Sequence, residues 1–418
     1  MKAALERARK ARRRVLESHS NRDIIGAIAT AAGNLDTRTL VETLVARLSM
    51  DRAMISHGLG LMLSALNPAA LTDLVADQAE DPRALEQAVD HGANCRARLG
   101  GPEVVFYALA GNLPGLALPA IAASLLARSV CLLRDSSRQP LLTRALVASL
   151  ADCDPDLAAM VVAMDWPAGD PGYENEAFAA AGRVELYGSD ETVALIGSRH
   201  DHPDIVEHGD RLSIGYLAEG ADMDSAASGF AEAAVIYEGL GCLSPQTIIV
   251  EGTQARAHEF TQAMARGFEV FEKRWPRLPA DPTSEAARRA FMDEAEVSSL
   301  ANPQEVVLVG KDGSWCVHLA DGGLDDGLRP GPGRRCLSVL AGGPRQSLGS
   351  RLDDSRRPPL AAVGVAASGP DYQRLAGIFE SAGATWVCDP AHMQTPPLAW
   401  TQDGHCRLSS LLSWQTQP

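Results

Sequence analysis

Residues 103–152, EVVFYALAGNLPGLALPAIAASLLARSVCLLRDSSRQPLLTRALVASLAD, decide the fold class of this chain. A β-branched and aromatic segment is followed by the turn GNLPG and an apolar helical segment, and the pattern repeats with VCLLRD and PLLTRALVASLAD. Strands that alternate with helices are joined by crossover connections, which place neighbouring strands parallel. The stretch therefore predicts a mostly parallel sheet with helices on both faces.

The alternation continues toward the carboxyl terminus, and a helical region precedes it. Residues 1–96 are rich in Ala, Leu, Arg and Glu, with apolar positions at helical spacing, so they are predicted to be helical. RVELYGS and TIIVE are further predicted strands, and long helices are predicted at about 254–275 and 283–300. Short strands are expected around 305–309, 315–319, 336–340 and 360–365.

Composition excludes several classes of protein. The 418 residues are 46% hydrophobic and 22% charged, which is typical of a globular chain, and the formal net charge of −15 argues against non-specific nucleic-acid binding. No apolar run reaches the roughly 18–20 residues that span a bilayer, and no apolar segment follows the basic N-terminus, so neither a membrane span nor a secretory signal is expected.

The cysteines are dispersed without a C-x-x-C pair, which predicts reduced thiols and a cytoplasmic location. They are Cys95, Cys131, Cys153, Cys242, Cys316, Cys336, Cys388 and Cys406.

The first fourteen residues depart from the acidic average. Seven basic side chains against Glu6 give this segment a local charge of +6. A basic helix of this kind docks an acidic partner or a phosphorylated carrier, or it is simply a solvated terminal helix. The sequence leaves both interpretations open.

Three segments contain candidate catalytic side chains. Cys242 follows Gly239 and Gly241 between a predicted helix and a predicted strand, where converging backbone N–H groups favour a reactive thiolate; the alternative is a small buried cysteine in a tight turn. Asn112, after Gly111, has an amide suited to an oxyanion, or it is a turn asparagine.

His208 precedes another predicted strand and has the pKa range of a general acid or base. His200 and His202 lack the helical carboxylate–histidine spacing of a metal site, so no metal is predicted. Neither G-x-G-x-x-G after a strand nor G-x-x-x-x-G-K-[ST] occurs, so the usual dinucleotide and phosphate-loop motifs are absent from the sequence.

The order of these segments resembles the aldehyde dehydrogenase superfamily, and within it the LuxC-type acyl-CoA reductases. The resemblance is carried by 108–142, VELYGSDETV (184–193), HGDRLS (208–213), GLGCLSPQTIIVEG (239–252) and the tail PPLAWTQDGHCRLSSLLSW (396–414). It implies an α/β fold of two Rossmann-like three-layer domains with a helical N-terminal region. It also implies a cofactor domain at 1–209, a catalytic domain at 210–395, and a segment 396–418 that returns over the cleft.

The resemblance assigns roles residue by residue. Cys242 falls on the family's nucleophile, and Asn112 on the asparagine that shares the oxyanion hole with the nucleophile's own N–H. His208 stands where the superfamily has its general-base glutamate, 34 residues before the cysteine, and Glu207 beside it is the alternative carboxylate. The implied cofactor contacts are Gly111, Arg134, Ser136, Ser137, Gly188 and Ser189.

Two departures from the superfamily concern the cofactor. Arg134 replaces the usual lysine, and Ser137 stands where many NAD-using relatives have a glutamate on the ribose, so NADPH is predicted with NADH as the alternative. The C-terminal glutamate that binds the nicotinamide ribose in many relatives has no clear counterpart.

The implied reaction is reduction of an acyl thioester, on CoA or a carrier protein, to an aldehyde through an acyl-cysteine. The alternatives are an aldehyde-oxidising dehydrogenase, a carrier-protein acyltransferase that uses the same cysteine, and a structural homologue without activity. No nucleic-acid or membrane partner is expected, and a homodimer is left open.

Overall fold

The computed structural model describes residues 1–92, 95–111, 115–135, 141–167, 169–322, 327–343, 345, 348–352 and 358–417. The chain divides into two compact units. The first unit contains Met1–Arg47, Leu59–Gly209 and Pro397–Pro418, and the second contains Leu48–Gly58 and Asp210–Pro396. Each unit is therefore assembled from segments that are distant in the sequence.

The N-terminal region is α-helical up to Gln78, whereas the predicted helical region extended to residue 96; Val89–Asp90 and Arg96–Gly100 are strands. Ser20 and Asp23 form a reciprocal capping box at the second helix, and Asn67 caps the fifth helix, in which Pro68 takes the first position. These caps satisfy backbone N–H groups that have no partner within the helix. The helices are α1 (Lys2–Ser18), α2 (Asn21–Gly33), α3 (Thr37–Leu48), α4 (Arg52–Ser64) and α5 (Pro68–Gln78).

A five-stranded parallel sheet forms the core of the first unit. Its strands are β3 (Val104–Ala108), β4 (Val130–Arg134), β5 (Val161–Met164), β6 (Arg183–Tyr187) and β7 (Ile205–His208), in the spatial order β5-β4-β3-β6-β7. The connecting helices are α6 (Ala117–Leu126), α7 (Leu141–Cys153), α8 (Pro155–Ala159), α9 (Pro171–Ala180) and α10 (Asp190–Gly197). All five residues of β3 are buried, which requires cover on both faces because successive side chains point to opposite sides.

The direction of strand addition reverses beside β3. The chain adds β4 and β5 on one side of β3 and then adds β6 and β7 on the other. In open parallel sheets, ligands bind outside the carboxyl ends of the strands at such a reversal. The carboxyl ends of β3 and β6 are therefore where a ligand of this unit is expected.

The second unit is built on a seven-stranded sheet. Its strands are β8 (Leu212–Leu217), β9 (Thr247–Glu251), β10 (Val306–Val309), β11 (Cys316–Ala320), β12 (Cys336–Gly343), β13 (Leu360–Ala366) and β14 (Trp386–Cys388). Their order is β10-β11-β12-β9-β8-β13-β14, and only the edge strand β10 is antiparallel to its neighbour. The helices are α11 (Met223–Val235), α12 (Gln254–Arg274), α13 (Pro282–Ala301), α14 (Leu348–Leu352) and α15 (Gly369–Ser381).

A small antiparallel sheet joins the tail to the first unit. Strand β2 (Arg96–Gly100) pairs with β1 (Val89–Asp90) on one side and with β15 (Ser413–Gln417) on the other. The tail is thus a structural part of the first unit. Among the described residues no single helix is long and apolar enough to cross a membrane, and the pair α4 and α5 reaches that length and composition only across a bend of 51°.

Candidate active site

The carboxyl ends of β3 and β4 hold part of the predicted cofactor site. Gly111 follows β3, whereas the predicted oxyanion residue Asn112 and the predicted cofactor residues Ser136 and Ser137 lie outside the described residues. Gly115 in the turn after β3 has φ +87, and a Cβ there would lie 2.5 Å from the Met62 sulfur, so this turn requires glycine.

Arg134 ends β4 and donates from Nε to the Trp166 carbonyl at 3.4 Å. The next residue, Asp135, is buried, and one of its oxygens accepts a hydrogen bond from Thr143 at 3.1 Å. Burial raises the pKa of Asp135 to about 6. A buried carboxyl group therefore directly follows the arginine that is predicted to contact the cofactor.

Gly188 and Ser189 form the turn between β6 and α10. The Ser189 hydroxyl accepts from the Thr192 N–H at 3.3 Å and so caps the helix. A helix N-terminus at the carboxyl edge of a parallel sheet suits a phosphate. Asp190 and Glu191 stand in the first turn of α10, and their charges partly offset that attraction.

His208, at the end of β7, is held on both ring nitrogens. Its Nε2 lies 2.8 Å from Glu185 Oε2 and its Nδ1 lies 2.6 Å from Asp403 Oδ2, and the ring stacks on Tyr187 at 4.1 Å between centroids. Burial alone would lower the pKa of His208, but the hydrogen bonds to Asp403 and Glu185 outweigh it and raise the pKa. Two carboxylate partners therefore favour the protonated ring, which donates from both nitrogens.

Arg183 completes the buried cluster around His208. Its Nε donates to Glu185 Oε1 at 2.8 Å, and its Nη1 lies 3.1 Å from Asp204 Oδ1. Burial would raise the pKa of Glu185, yet the bonds from His208 and Arg183 lower it below the ordinary value. The cluster thus keeps both buried cations paired. In this arrangement neither nitrogen of His208 can accept a proton from a thiol.

Glu207 points to the opposite face of β7 from His208. It is exposed, and its Oε1 lies 2.9 Å from the position that a Cβ on Gly197 would occupy. Adjacent residues of a strand face opposite sides of the sheet. Glu207 and His208 therefore do not act on one common site, and the sequence-based roles of both stay predictions.

Cys242 lies on a sharp turn before β9. Tyr237, Glu238 and Gly239 all have left-handed backbone angles, with φ of 52°, 58° and 64°. Each such non-glycine residue costs about 1–3 kcal/mol, and residues of this kind cluster at functional sites. A Cβ on Gly239 would lie 2.8 Å from the Ala234 carbonyl oxygen, so glycine is required here. The turn leaves the Cys242 side chain partly exposed.

Two side chains hold the turn that contains Cys242 through hydrogen bonds. The buried Ser213 hydroxyl donates to the Cys242 carbonyl at 2.5 Å and accepts from the Ala362 N–H at 3.0 Å. The Gln394 amide donates to the Ser244 hydroxyl at 2.9 Å. The Ser213 hydroxyl therefore connects the Cys242 backbone to β13 as well as to its own strand, β8.

A buried ion pair supports the left-handed residues. Arg335 donates to both Glu238 oxygens, at 2.6 and 3.1 Å, and to Glu272 and the Trp275 carbonyl. Arg335 and Glu238 are each 1% exposed, so this ion pair is buried away from solvent. Burial raises the pKa of Glu238, although Arg335 opposes this shift. The backbone before Cys242 is therefore anchored by charge as well as by hydrogen bonds.

Comparison with known proteins identifies the family. A family model described as acyl-CoA reductase (LuxC) matches residues 16–414. The chain belongs to this family. This chain is 23% identical over 260 residues to the long-chain acyl-protein thioester reductase of Vibrio harveyi, a match that covers 61% of this chain and 53% of that protein. A protein of the same description from Photorhabdus laumondii is 24% identical over 198 residues, covering 46% and 41%. The matches thus span about half the length of these curated relatives.

The fold of this chain is that of aldehyde dehydrogenases, as the sequence predicted. A methylmalonate-semialdehyde dehydrogenase-like structure from Sinorhizobium meliloti, solved with NAD, aligns with a TM-score of 0.78 at 14% identity, covering 99% of this chain and 88% of that one. The benzaldehyde dehydrogenase of Corynebacterium glutamicum gives 0.74 at 15% identity, covering 100% and 89%. The GapN dehydrogenase of Methanocaldococcus jannaschii, solved with NADP, gives 0.74 at 12% identity, covering 100% and 93%.

Most other thiols of the chain are unsuited to nucleophilic attack. Burial raises the pKa of four of them to about 12; these are Cys131, Cys316, Cys336 and Cys388. Cys153 is exposed and is the last residue of helix α7. Among the residues that the structure describes, no group of three or more His, Cys, Asp or Glu side chains is placed to hold a metal ion.

The sequence missed the residues that hold the two predicted catalytic groups. Glu185 and Asp403 bind His208, and Ser213 binds the Cys242 backbone. Ser213 lies within HGDRLS, but the sequence alone gives it no role. A partial signal existed for Asp403, because Asp403-Gly404 is a turn pair in the tail and turns commonly present a carboxylate.

Proposed function

We propose that this chain reduces an acyl thioester to an aldehyde through a covalent acyl-Cys242 intermediate. The Cys242 turn carries the proposal, because it presents a partly exposed thiol on a backbone fixed by Ser213 and by the Glu238–Arg335 pair. Membership of the acyl-CoA reductase family supports the reaction class. The curated relatives are named long-chain acyl-protein thioester reductases, which supports a thioester on CoA or on a carrier protein.

In the first step, the Cys242 thiolate attacks the carbonyl carbon and the carrier leaves as its thiol after taking up a proton. The acyl group is thereby held as a new thioester on the enzyme. The Cys242 N–H and the Asn112 amide are the predicted donors to the oxyanion, and losing one such donor typically costs about 3–4 kcal/mol. Addition of hydride gives a thiohemiacetal, which releases aldehyde and restores the thiolate.

The residues present fit a nicotinamide dinucleotide. Gly111, Gly188 and Ser189 lie at the carboxyl ends of β3 and β6, where the strand order reverses, and Ser189 begins helix α10. When bound, the cofactor would supply the hydride. Gly188 and Ser189 would hold its diphosphate, and Arg134 with the predicted Ser136 and Ser137 would face the adenosine ribose. Solved neighbours with NAD and with NADP support a nicotinamide cofactor.

We propose NADPH over NADH. Arg134 supplies a cation at the end of β4, and Ser137 replaces an acidic residue that would repel a 2′-phosphate. Arg134→Ala should raise the KM for NADPH about fivefold or more, and the KM for NADH should stay within about twofold of the wild-type value. A preference for NADH that Arg134→Ala leaves unchanged would contradict this assignment.

Aldehyde oxidation is the second candidate, because the solved neighbours are aldehyde dehydrogenases. That reaction needs a base to activate water for hydrolysis of the acyl-enzyme. His208 has the predicted position, but Glu185 and Asp403 occupy both nitrogens. This observation favours reduction over oxidation. A cytoplasmic location, a homodimer and the assignment of 1–209, 210–395 and 396–418 to cofactor, catalysis and cleft cover stay predictions.

Intact-mass spectrometry tests the covalent step. The wild-type chain is exposed to a panel of acyl thioesters without cofactor, and one acyl adduct should form and map to Cys242. NADPH should then discharge it with one aldehyde released per NADPH oxidised. Cys153→Ser is the matched control and should acylate normally. Acylation without hydride-dependent release would support the acyltransferase, and absence of any adduct would contradict the proposal.

A further inference from the structure

Helix α1 places an unusual set of charges on the surface of the first unit. Its buried stripe is Leu5, Ala8, Ala11 and Val15, so the opposite side of the helix faces solvent. The segment carries a local charge of +6 in a chain whose formal net charge is −15. This side of the helix is therefore a cationic feature on an acidic protein.

Three arginines of α1 are used to anchor it. Arg9 pairs with Glu103 at 2.9 Å, Arg14 pairs with Asp156 at 2.6 Å, and Arg12 donates to the Arg128 carbonyl at 2.7 Å. These bonds fix the helix against residues that precede β3, β4 and β5 in the sequence. Their structural role separates them from the remaining cations of the helix.

The other four cations have no internal role. Among the described residues no acidic group lies within ion-pair distance of any of them, and all four are exposed. We define the α1 basic face as Lys2, Arg7, Lys10 and Arg13. Glu6 and Glu17 lie on the same side but leave a net positive charge. Holding unpaired like charges together is unfavourable, so a partner that neutralises them would bind here.

The anchors of α1 follow the sheet of the first unit from strand to strand. Glu103, Arg128 and Asp156 precede the neighbouring strands β3, β4 and β5, and α1 also contacts β4 and β5. The α1 basic face is therefore held in a fixed position on the first unit.

We propose that the α1 basic face docks an acidic carrier protein that delivers the acyl thioester. This inference rests on the proposed function and names the partner that supplies its substrate. An acidic partner is repelled by the chain's net charge and attracted only where cations concentrate, so the α1 basic face both captures and orients it. The apolar side of α1 is buried in the protein, so the helix cannot insert into a bilayer as amphipathic membrane helices do.

Charge reversal on the face tests the proposal. The variant R7E/K10E/R13E is compared with K273E/R289E/K311E, which makes the same change in net charge at exposed positions of the second unit. The substrates are hexadecanoyl acyl carrier protein and hexadecanoyl-pantetheine, which carries the same thioester without an anionic group. With the protein substrate, kcat/KM of the first variant should fall about tenfold or more at low salt, mainly through KM.

Three further observations decide the outcome. Hexadecanoyl-pantetheine should be reduced equally by all three proteins, and the wild-type advantage with the protein substrate should shrink as salt rises. The variant R7K/K10R/R13K should retain wild-type kcat/KM, because it keeps the charge. Normal turnover of the acyl-protein by R7E/K10E/R13E would overturn the docking surface but not the reaction.

Failure of the proposed function gives a different result from failure of the docking surface. If the wild-type chain reduces neither substrate, the reaction itself is wrong. If R7E/K10E/R13E loses binding to vesicles of anionic phospholipid or to RNA but reduces acyl carrier protein normally, the face serves another polyanion and the proposal is overturned. Equal loss in R7E/K10E/R13E and K273E/R289E/K311E would show a net-charge effect and would also overturn it.

Discussion

Cys242 and His208 were predicted from similar sequence signals, yet the structure places them in opposite kinds of environment. Cys242 is partly exposed, and its backbone carbonyl accepts a hydrogen bond from the buried Ser213 hydroxyl. His208 is almost fully buried, and its contacts occupy both nitrogens of the side chain itself. A hydrogen bond to the backbone positions Cys242 and leaves its thiol available for the proposed reaction. Hydrogen bonds on both ring nitrogens instead suit His208 to a role in stabilising the folded protein.

The buried ion pairs near Cys242 and around His208 also differ. The cluster beneath Cys242 pairs Glu238 with Arg335. The cluster around His208 pairs Glu185 with a histidine, the side-chain type whose ordinary pKa lies nearest neutrality. The two clusters therefore differ in the chemistry of the side chain that holds the buried carboxylate.

The largest expected effect is on the nucleophile. Cys242→Ser should lower the rate of acylation on the order of 10³-fold or more, because a hydroxyl is a much weaker nucleophile than a thiolate at neutral pH. Stability and cofactor binding should be unchanged. Stopped-flow or intact-mass measurement of acylation checks this, with Cys153→Ser as the control. Turnover by Cys242→Ser at the wild-type rate would remove the cysteine from the mechanism.

Breaking the ion pair beneath Cys242 should have the next largest effect. Arg335→Met leaves Glu238 buried and unpaired, so the free energy of unfolding should fall by about 3–5 kcal/mol. Urea titration measures this change in the free energy of unfolding. Arg14→Met, which breaks an exposed pair, is the matched control and should change stability by about 1 kcal/mol or less. Equal losses in the two variants would show that burial does not distinguish the pairs.

His208→Gln tests the structural role directly. Glutamine can donate to one carboxylate but not to both, so the free energy of unfolding should fall by about 1–3 kcal/mol while acylation of Cys242 is retained. Glu207→Gln, on the exposed face of β7, should affect neither. If His208→Gln keeps full stability but loses acylation, the histidine is a catalytic base. If Glu207→Gln abolishes turnover, the aldehyde-oxidising alternative gains support.

Ser213→Ala should separate backbone positioning from stability. It removes the hydroxyl that joins the Cys242 carbonyl to the Ala362 N–H, and about 1–3 kcal/mol of stability should be lost because both groups become unsatisfied. The rate of Cys242 alkylation by iodoacetamide should fall, and Ser213→Thr should restore it. A stability loss without any change in alkylation would limit Ser213 to a structural role.

The smallest effect concerns pH. The folded-state pKa of His208 is raised, so its contribution to stability is complete below its ordinary pKa of 6.5 and is lost as pH rises through the higher folded value. The pKa of Glu185 is lowered, so its contribution is present above 4.5 and is lost as pH falls through the folded value. Stability from this cluster is therefore greatest between the two.

The alkaline side of this pH dependence can be measured by comparing two proteins. Raising the folded-state pKa of a group by one pH unit contributes about 1.4 kcal/mol to the free energy of unfolding. Urea titrations of the wild-type chain and His208→Gln across the neutral and alkaline range measure this contribution, and the difference between the two proteins should shrink as pH rises. A difference that stays constant with pH would mean that His208 is not charged in the folded protein.

The strands that the sequence predicted best are those with dense β-branched residues. TIIVE was predicted at 247–251 and forms β9 with those bounds. The short strands β5 and β7 were not predicted, because four residues give little periodicity and β7 lies in the polar stretch DHPDIVEHGD. Hydrophobic pattern thus located the core of each sheet but not all of its edges.

Side-chain partners were harder to foresee than elements. The sequence predicts an open turn at Cys242 because two glycines precede this residue and a strand follows it. The bond from His208 to Glu185 depends on β6 lying beside β7 in a given register, and the bond to Asp403 depends on where the tail folds back. Neither is encoded locally. The cofactor residues Ser136 and Ser137, and Asn112, stay predictions.

The tail of the chain sets the order in which the protein can be completed during synthesis. Asp403 is 195 residues beyond His208, and Ser413 is 313 residues beyond its neighbour Gly100 in the small sheet. A ribosome therefore synthesises the second unit, which ends at Pro396, before it makes the strand and the carboxylate that complete the first. Until then β2 has an open edge, and His208 lacks one of its two carboxylates. The first unit therefore begins before the second unit and closes after it.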